Sequence, residues 1–174
     1  MAYLELSASE EKNYINRLYS SFSTGRAFEL FLNYFLQKIG FQEVVTTKYV
    51  GDNGIDLTCS RQGIDPQGLD LMNYYVQAKR YSATNKVSAK EIRDLKGATK
   101  RDKQGNVLSN NYINLFITTS SFTKSAINEA GSNPNMPTIL IDGKTLLNMC
   151  IDNGVAFSYK PIFDEELMKE ILKQ

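Results

Sequence analysis

Apolar positions first recur along the chain at helical spacing. From Ser9 to Phe22, residues Tyr14, Ile15, Leu18 and Phe22 share one face, which predicts an amphipathic helix. From Arg26 to Ile39 the apolar set (Ala27, Phe28, Leu30, Phe31, Leu32, Phe35, Leu36, Ile39) covers most of the surface, so a second helix is expected to be central. Gly40 ends it. The period then shortens to two, and three strands follow: Glu43 to Val50, Ile55 to Ser60, and Asn73 to Lys79. GDNG between the first two is turn chemistry, with Gly51 and Gly54 free to take positive φ and Asp52 and Asn53 as turn formers. After Ser88 a helix runs to about Arg101, followed by a strand (Tyr112 to Thr118), a helix opening near Thr123, a strand (Thr138 to Asp142) and a helix (Lys144 to Cys150). Val155 to Tyr159 reads as an edge strand, and Asp164 caps a last helix (Glu165 to Lys173) within the C-terminal segment 160–174. Three consecutive strands and then alternating helix and strand predict an α/β (α+β) fold, a mixed sheet with helices on both faces.

Composition narrows the chemistry. A length of 174 residues without internal repeat, low-complexity tract or long Pro/Gly/Ser linker predicts one domain over 1–174, and it is enough to bury a full core without disulfides. Cys59 and Cys150 are far apart and form no CxxC, which favours a reducing cytoplasm over an oxidising compartment. No apolar run reaches the ~18 residues of a membrane span, and the N-terminus carries acids where a signal peptide carries bases. The chain has no histidine. That removes Ser-His-Asp and Cys-His triads, HExxH sites and HNH-type nucleases for the chain acting alone. Any metal must be held by oxygen, which favours Mg²⁺ or Mn²⁺ over zinc. Twenty Lys plus Arg against 19 Asp plus Glu leave a formal charge of +1, so a nucleic-acid partner has to be argued from where the charges lie.

Gln77 and Lys79 are two apart on one strand, so both side chains leave the same face of the sheet. Asp56 opens the preceding strand directly after the glycine-bounded turn. If the two strands pair, a carboxylate, a carboxamide oxygen and an ammonium converge, with the Ala78 carbonyl as a further oxygen. This set suits phosphodiester hydrolysis assisted by one hard cation that keeps waters and a substrate phosphate in its shell. Taken singly, each residue has a plain structural reading: a strand-end aspartate bonded to its turn, a strand glutamine, an edge-strand lysine that discourages sheet-to-sheet pairing. Glu29 shares a polar stripe with Arg26, Asn33 and Gln37, which also reads as a solvent-facing edge. On the helix after Lys79, a rotation of about 100° per residue gathers Lys86, Lys90, Arg93, Lys96, Lys100, Arg101 and Lys103 in one arc without an acid. That arc is a candidate contact for the DNA backbone as well as a solvated face. Arg80 and Tyr81, immediately after Lys79, are candidates for phosphate contacts, and Thr118 to Thr123 (TTSSFT) is a loop and helix cap first and a phosphate rim second.

The segments GRAFELFLNYFLQKIGF, GDNGID, YYVQAKRYS, VSAKEIRDL, LFITTSSFTKSAINEA and ILIDGKTLLNMC together resemble the catalytic domain of Mrr-type restriction endonucleases, within the PD-(D/E)XK nuclease superfamily. The resemblance runs from about Thr24 to Val155, leaving residues 1–22 as an N-terminal helical extension. It implies a restriction-endonuclease-like core of four or five mixed strands flanked by helices, with a D…QxK variant active site. It further implies that Asp56 is the metal-ligating aspartate, that Gln77 replaces the usual glutamate, that Lys79 is catalytic, and that Glu29 completes the metal site. The implied activity is Mg²⁺-dependent cleavage of double-stranded DNA in a restriction system, leaving a 5′-phosphate. Members of the family usually carry a separate recognition domain, often a winged helix, for which nothing in this chain is left over. The expectation is therefore an isolated catalytic domain, a subunit that borrows specificity from a partner, or a small nuclease acting as a homodimer. A resolvase-like, structure-selective nuclease and a non-catalytic DNA-binding subunit with the same fold are the rival readings. Near-neutral charge weighs against the first, and retention of Asp56, Gln77 and Lys79 together weighs against the second.

Overall fold

The computed structural model describes residues 6–47, 54–63, 65, 70–98, 112–158 and 168. Ser7 opens helix α1 (Ala8–Ser21) with a reciprocal box: its hydroxyl accepts from the Glu10 N–H while the Glu10 carboxylate accepts from the Ser7 N–H. Thr24 caps α2 (Gly25–Lys38) by accepting from the Ala27 N–H. As its glycine predicts, α2 stops at residue 40. Gly40 takes φ +95°, its N–H reaches the Gln37 carbonyl, and the Phe41 N–H reaches Leu36, which satisfies the helix's last carbonyls.

Five strands then lie side by side in chain order: β1 (Gln42–Thr46), β2 (Leu57–Arg61), β3 (Met72–Lys79), β4 (Tyr112–Thr118) and β5 (Thr138–Ile141). The first three are antiparallel neighbours, whereas β3, β4 and β5 are parallel. Helices α3 (Ala89–Ala98) and α4 (Lys124–Gly131) make the two crossovers that parallel pairing demands, and α5 (Gly143–Asp152) follows β5. This is the mixed sheet that the residue pattern predicts, at the upper of the two strand counts that the family resemblance implies.

Alternation along the strands builds two cores. Leu57, Val76, Leu115 and Ile117 face α1, α2 and α5, where Phe28, Leu32, Phe35, Leu36 and Leu146 are fully buried. Phe116 faces the other way, onto Ile92 and Leu95 of α3 and Ala126 of α4. The C-terminal ends of β1, β3, β4 and β5 and the start of β2 consequently share one rim of the sheet. At that rim α5 presses on β4. The Gly143 N–H bonds the Ser120 carbonyl at 2.7 Å, and a Cβ at position 143 would stand 2.5 Å from the Thr119 carbonyl oxygen, so only glycine fits.

Two expectations change. Residues 155–158 form no strand: Gly154 and Ala156 both adopt positive φ (62° and 61°), and the Val155 N–H turns back to the Cys150 carbonyl at 2.8 Å, dropping the valine into the core. Lys96 does not belong to the exposed basic arc. It is 6% exposed and its ammonium binds the Glu129 carbonyl and the Ser132 hydroxyl, anchoring the C-terminal end of α4. Residues 48–53, Lys100, Arg101, Lys103, Tyr159 and Asp164 lie outside the described residues, as does the expected last helix apart from Met168. No helix among the described residues is long and apolar enough to cross a membrane.

Candidate active site

At the rim where β2 begins and β3 ends, a cleft of about 400 Å³ opens beside the N-terminus of α2. Asp56, Ala78 and Lys79 line it together with Glu29, Arg80 and Tyr81, so most of the proposed active-site set meets in one place. Asp56 sits one residue ahead of the last β2–β3 pair, Leu57 with Val76. Its N–H donates to the Val76 carbonyl (2.8 Å), and its carboxylate Oδ2 accepts from the Ala78 N–H (2.7 Å). The side chain thereby takes over where a backbone acceptor would continue the ladder. Thr47 holds the same residue from β1's side, donating both its N–H (2.9 Å) and its hydroxyl (3.0 Å) to the Asp56 carbonyl. In an extended strand the N–H and C=O of one residue point the same way. The Ala78 carbonyl therefore leaves the strand edge on which its N–H meets Asp56.

Gln77 is placed differently from its two companions. It is 5% exposed and stands behind the cleft surface, with Nε2 3.1 Å from where a Cβ at Gly54 would be. Gly54, at φ +91°, is thus required twice, by its turn and by this approach. Among the described residues, Gln77 Oε1 is buried without a hydrogen-bond partner. An unpaired buried oxygen is costly, and a hard cation or a water is what would satisfy it. The donors on offer are all oxygens, and among the described residues no group of three or more His, Cys, Asp or Glu could by itself hold a metal ion. Such a sparse set fits Mg²⁺, which keeps several waters and needs only one or two carboxylates. Glu29 also lines the cleft, and its carboxylate is ion-paired with Arg26 at 2.7 Å.

The segment after Lys79 is strapped to the end of β4. The Lys79 carbonyl accepts from the Thr118 hydroxyl (2.8 Å) and the Thr119 N–H (3.3 Å). The Thr119 hydroxyl accepts from the Tyr81 N–H (3.0 Å) and donates to the Tyr81 carbonyl (2.7 Å). Tyr81 donates its own hydroxyl to Glu91 at 2.6 Å. That hydrogen bond, then burial and the negative charge of Glu91, push the phenol up to about 12, so it remains a donor throughout the neutral range. Glu91 also accepts from the Ser88 N–H (2.7 Å), which ties the start of α3 to the cleft. Ser88-x-x-Glu91 is a capping-box spacing, which in the sequence marks a helix start and gives no sign of the link to Tyr81.

Lys86, Lys90 and Arg93 lie outside the cleft lining. Lys90 pairs with Asp94 (2.8 Å) and Arg93 with Glu129 (3.4 Å), so acids lie against the basic arc in three dimensions although none lies within it on the helical wheel. Both cysteines are buried and reduced, and burial pushes their thiols up to about 12, which removes them as nucleophiles.

Comparison with known proteins gives the same picture from outside. The fold is similar to that of the DNA modification-dependent restriction endonuclease AspBHI (TM-score 0.68, 18% identity, covering 87% of this chain and 38% of that one). It is also similar to the restriction endonuclease MspJI in complex with a 27-mer oligonucleotide (TM-score 0.62, 22% identity, 86% and 34%) and to the restriction endonuclease FokI bound to DNA (0.53, 15%, 98% and 30%). The match therefore spans between 30% and 38% of the length of each of the three. No curated protein matches it by sequence. The family model Mrr_cat, restriction endonuclease, matches residues 21–150, from the end of α1 through the β2–β3 rim to α5, and the chain belongs to that family.

Proposed function

We propose that this chain is a Mg²⁺-dependent endodeoxyribonuclease domain of a restriction system, acting in the cytoplasm on double-stranded DNA and leaving a 5′-phosphate. Residues 1–174 form one nuclease domain in this reading, with 1–22 as a helical extension, 24–155 as the core and 160–174 as a C-terminal helix. The observation that carries it is the Asp56 carboxylate bridging β2 to β3 in the same cleft as Lys79, within a chain of the restriction endonuclease family.

Asp56, Gln77 Oε1, the Ala78 carbonyl and Glu29 would hold the cation, with Mn²⁺ as a substitute. When bound, it offsets charge developing on the phosphoryl group and makes water a competent nucleophile at neutral pH. Lys79, which lines the same cleft, would supply an ammonium to orient the attacking water and stabilise the extra negative charge of the transition state. Thr118 and Thr119 fix the backbone that presents it, and Asp56 is fixed by its own backbone bonds, so the geometry is set before substrate arrives. The test is cleavage of supercoiled plasmid with and without Mg²⁺, run beside a four-way junction. Metal-dependent nicking or linearisation of the plasmid is expected. Cutting confined to the junction would identify a structure-selective nuclease, and binding without cutting a non-catalytic subunit.

Arg80, Tyr81, Lys86, Lys90 and Arg93 make up the proposed DNA contacts. Reversing charge at Lys90 and Arg93 is expected to weaken binding of all duplex sequences alike and to reduce the slope of log K against log salt by about 1 for each phosphate left unneutralised. Unchanged salt dependence in both single variants would remove α3 from the interface. One site cuts one strand, and the strands of a duplex are antiparallel. A double-strand break therefore calls for two copies related by a two-fold axis, or for a partner recognition subunit.

A further inference from the structure

Arg80 occupies a cleft that also contains two carboxylates, yet among the described residues it pairs with neither. Glu29 is taken by Arg26, and the Asp56 carboxylate accepts from the Ala78 N–H. The Arg80 guanidinium instead lies 4.1 Å from the centre of the Tyr19 ring, with Nη1 3.4 Å from the Tyr19 hydroxyl oxygen. Its Nε is buried and, among the described residues, has no acceptor. An arginine beside carboxylates ordinarily forms a two-point pair with one of them. A flat guanidinium against an aromatic face is held by that face and keeps its edge donors available for two oxygens of one anion, such as the non-bridging pair of a phosphate.

Tyr19 belongs to α1, ahead of the family match at 21–150. That helix is docked independently: Leu18 enters the core, Glu11 pairs with Lys144 of α5 at 2.7 Å, and the Tyr14 ring meets Phe157 edge-on at 5.6 Å. We infer that Arg80, backed by Tyr19, is a subsite for the non-bridging oxygens of a phosphodiester, and that Tyr19 is the positioning residue that keeps the guanidinium turned away from the cleft carboxylates. This inference deepens the nuclease reading and rests on it for the identity of the anion. It makes α1 part of the working site.

The experiment is equilibrium binding of a short fluorescent duplex in EDTA, where no metal contributes and nothing is cut. Arg80→Ala is expected to weaken binding about tenfold and Tyr19→Leu about three- to tenfold. Tyr19→Phe, which keeps the ring, stays within about twofold of the parent. In the Arg80→Ala background Tyr19→Leu adds no further loss, since the group it positions is gone. An equal loss in both backgrounds would mean that Tyr19 merely holds α1 in place, and it would overturn the inference, as would no loss at all. If Tyr19→Leu does not fold, Arg80→Lys decides. Keeping the charge without the flat fork, it is expected to bind as weakly as Arg80→Ala, and parent-like binding would overturn the subsite. Plasmid cleavage with Mg²⁺ is read separately. Coupled binding without any cutting would sink the nuclease reading alone, and cutting indifferent to both residues would sink the subsite alone.

Discussion

Asp56→Asn is expected to lower DNA cleavage by on the order of a thousandfold while leaving the fold in place. The distinction between asparagine and alanine follows from the 2.7 Å bond between Oδ2 and the Ala78 N–H. Asparagine retains an acceptor for that N–H and loses only the charge. Alanine would strand a backbone donor at the strand junction at a cost of about 1–3 kcal/mol, so its inactivity would be ambiguous. Lys79→Ala is expected to be as inactive for another reason. Calorimetric Mn²⁺ titration separates the two, because affinity falls in the Asp56 variants and stays close to the parent's in Lys79→Ala. Full activity in either Asp56→Asn or Lys79→Ala would sink the assignment of the site.

Gln77 gives the second large effect. Gln77→Ala is expected to be inactive, because it removes a buried oxygen that no donor among the described residues satisfies. Gln77→Glu replaces the amide by the stronger ligand for a hard cation, so it is expected to keep at least partial activity and to tighten Mn²⁺ binding. Initial cleavage rates and the same titration check both. Tolerance of alanine combined with loss of activity in the glutamate variant would mean that Gln77 is something other than a metal ligand.

Much of this architecture is legible in the residue pattern. Its period changes from helical to alternating after Gly40 and back again after Lys79, and the helix expected to open near Thr123 does so, capped by the Thr123 hydroxyl. The clustering of Asp56 with Lys79 is legible too, because Asp56 opens β2 at the same rim where its antiparallel neighbour β3 ends at Lys79. Other features depend on contacts that local pattern does not encode. Val155 to Ser158 alternates like a strand, but two left-handed residues bend it onto α5. Lys96 falls among the basic residues of a helical wheel, and only the arrival of α4, 33 residues on, shows that it is an internal anchor. Tyr19 and Arg80 are 61 residues apart, with no motif joining them. Charge patterning along one helix likewise cannot reveal Glu129, which comes from another helix to meet Arg93.

The chain-order sheet also divides its connections between two ends of the molecule. Every described connection at the cleft rim is tethered: Thr47 to Asp56, Thr118 and Thr119 to residues 79–81, Gly143 to Ser120. Among the described residues, the opposite rim, which includes the α4–β5 connection at 132–137, contributes nothing to the cleft. A change of length at 132–137 is therefore expected to leave the cleft in place, whereas one within the tethered segments would move Asp56 or Lys79. The scaffold can thus take on added surface at one end without disturbing the arrangement of Asp56 and Lys79 at the other.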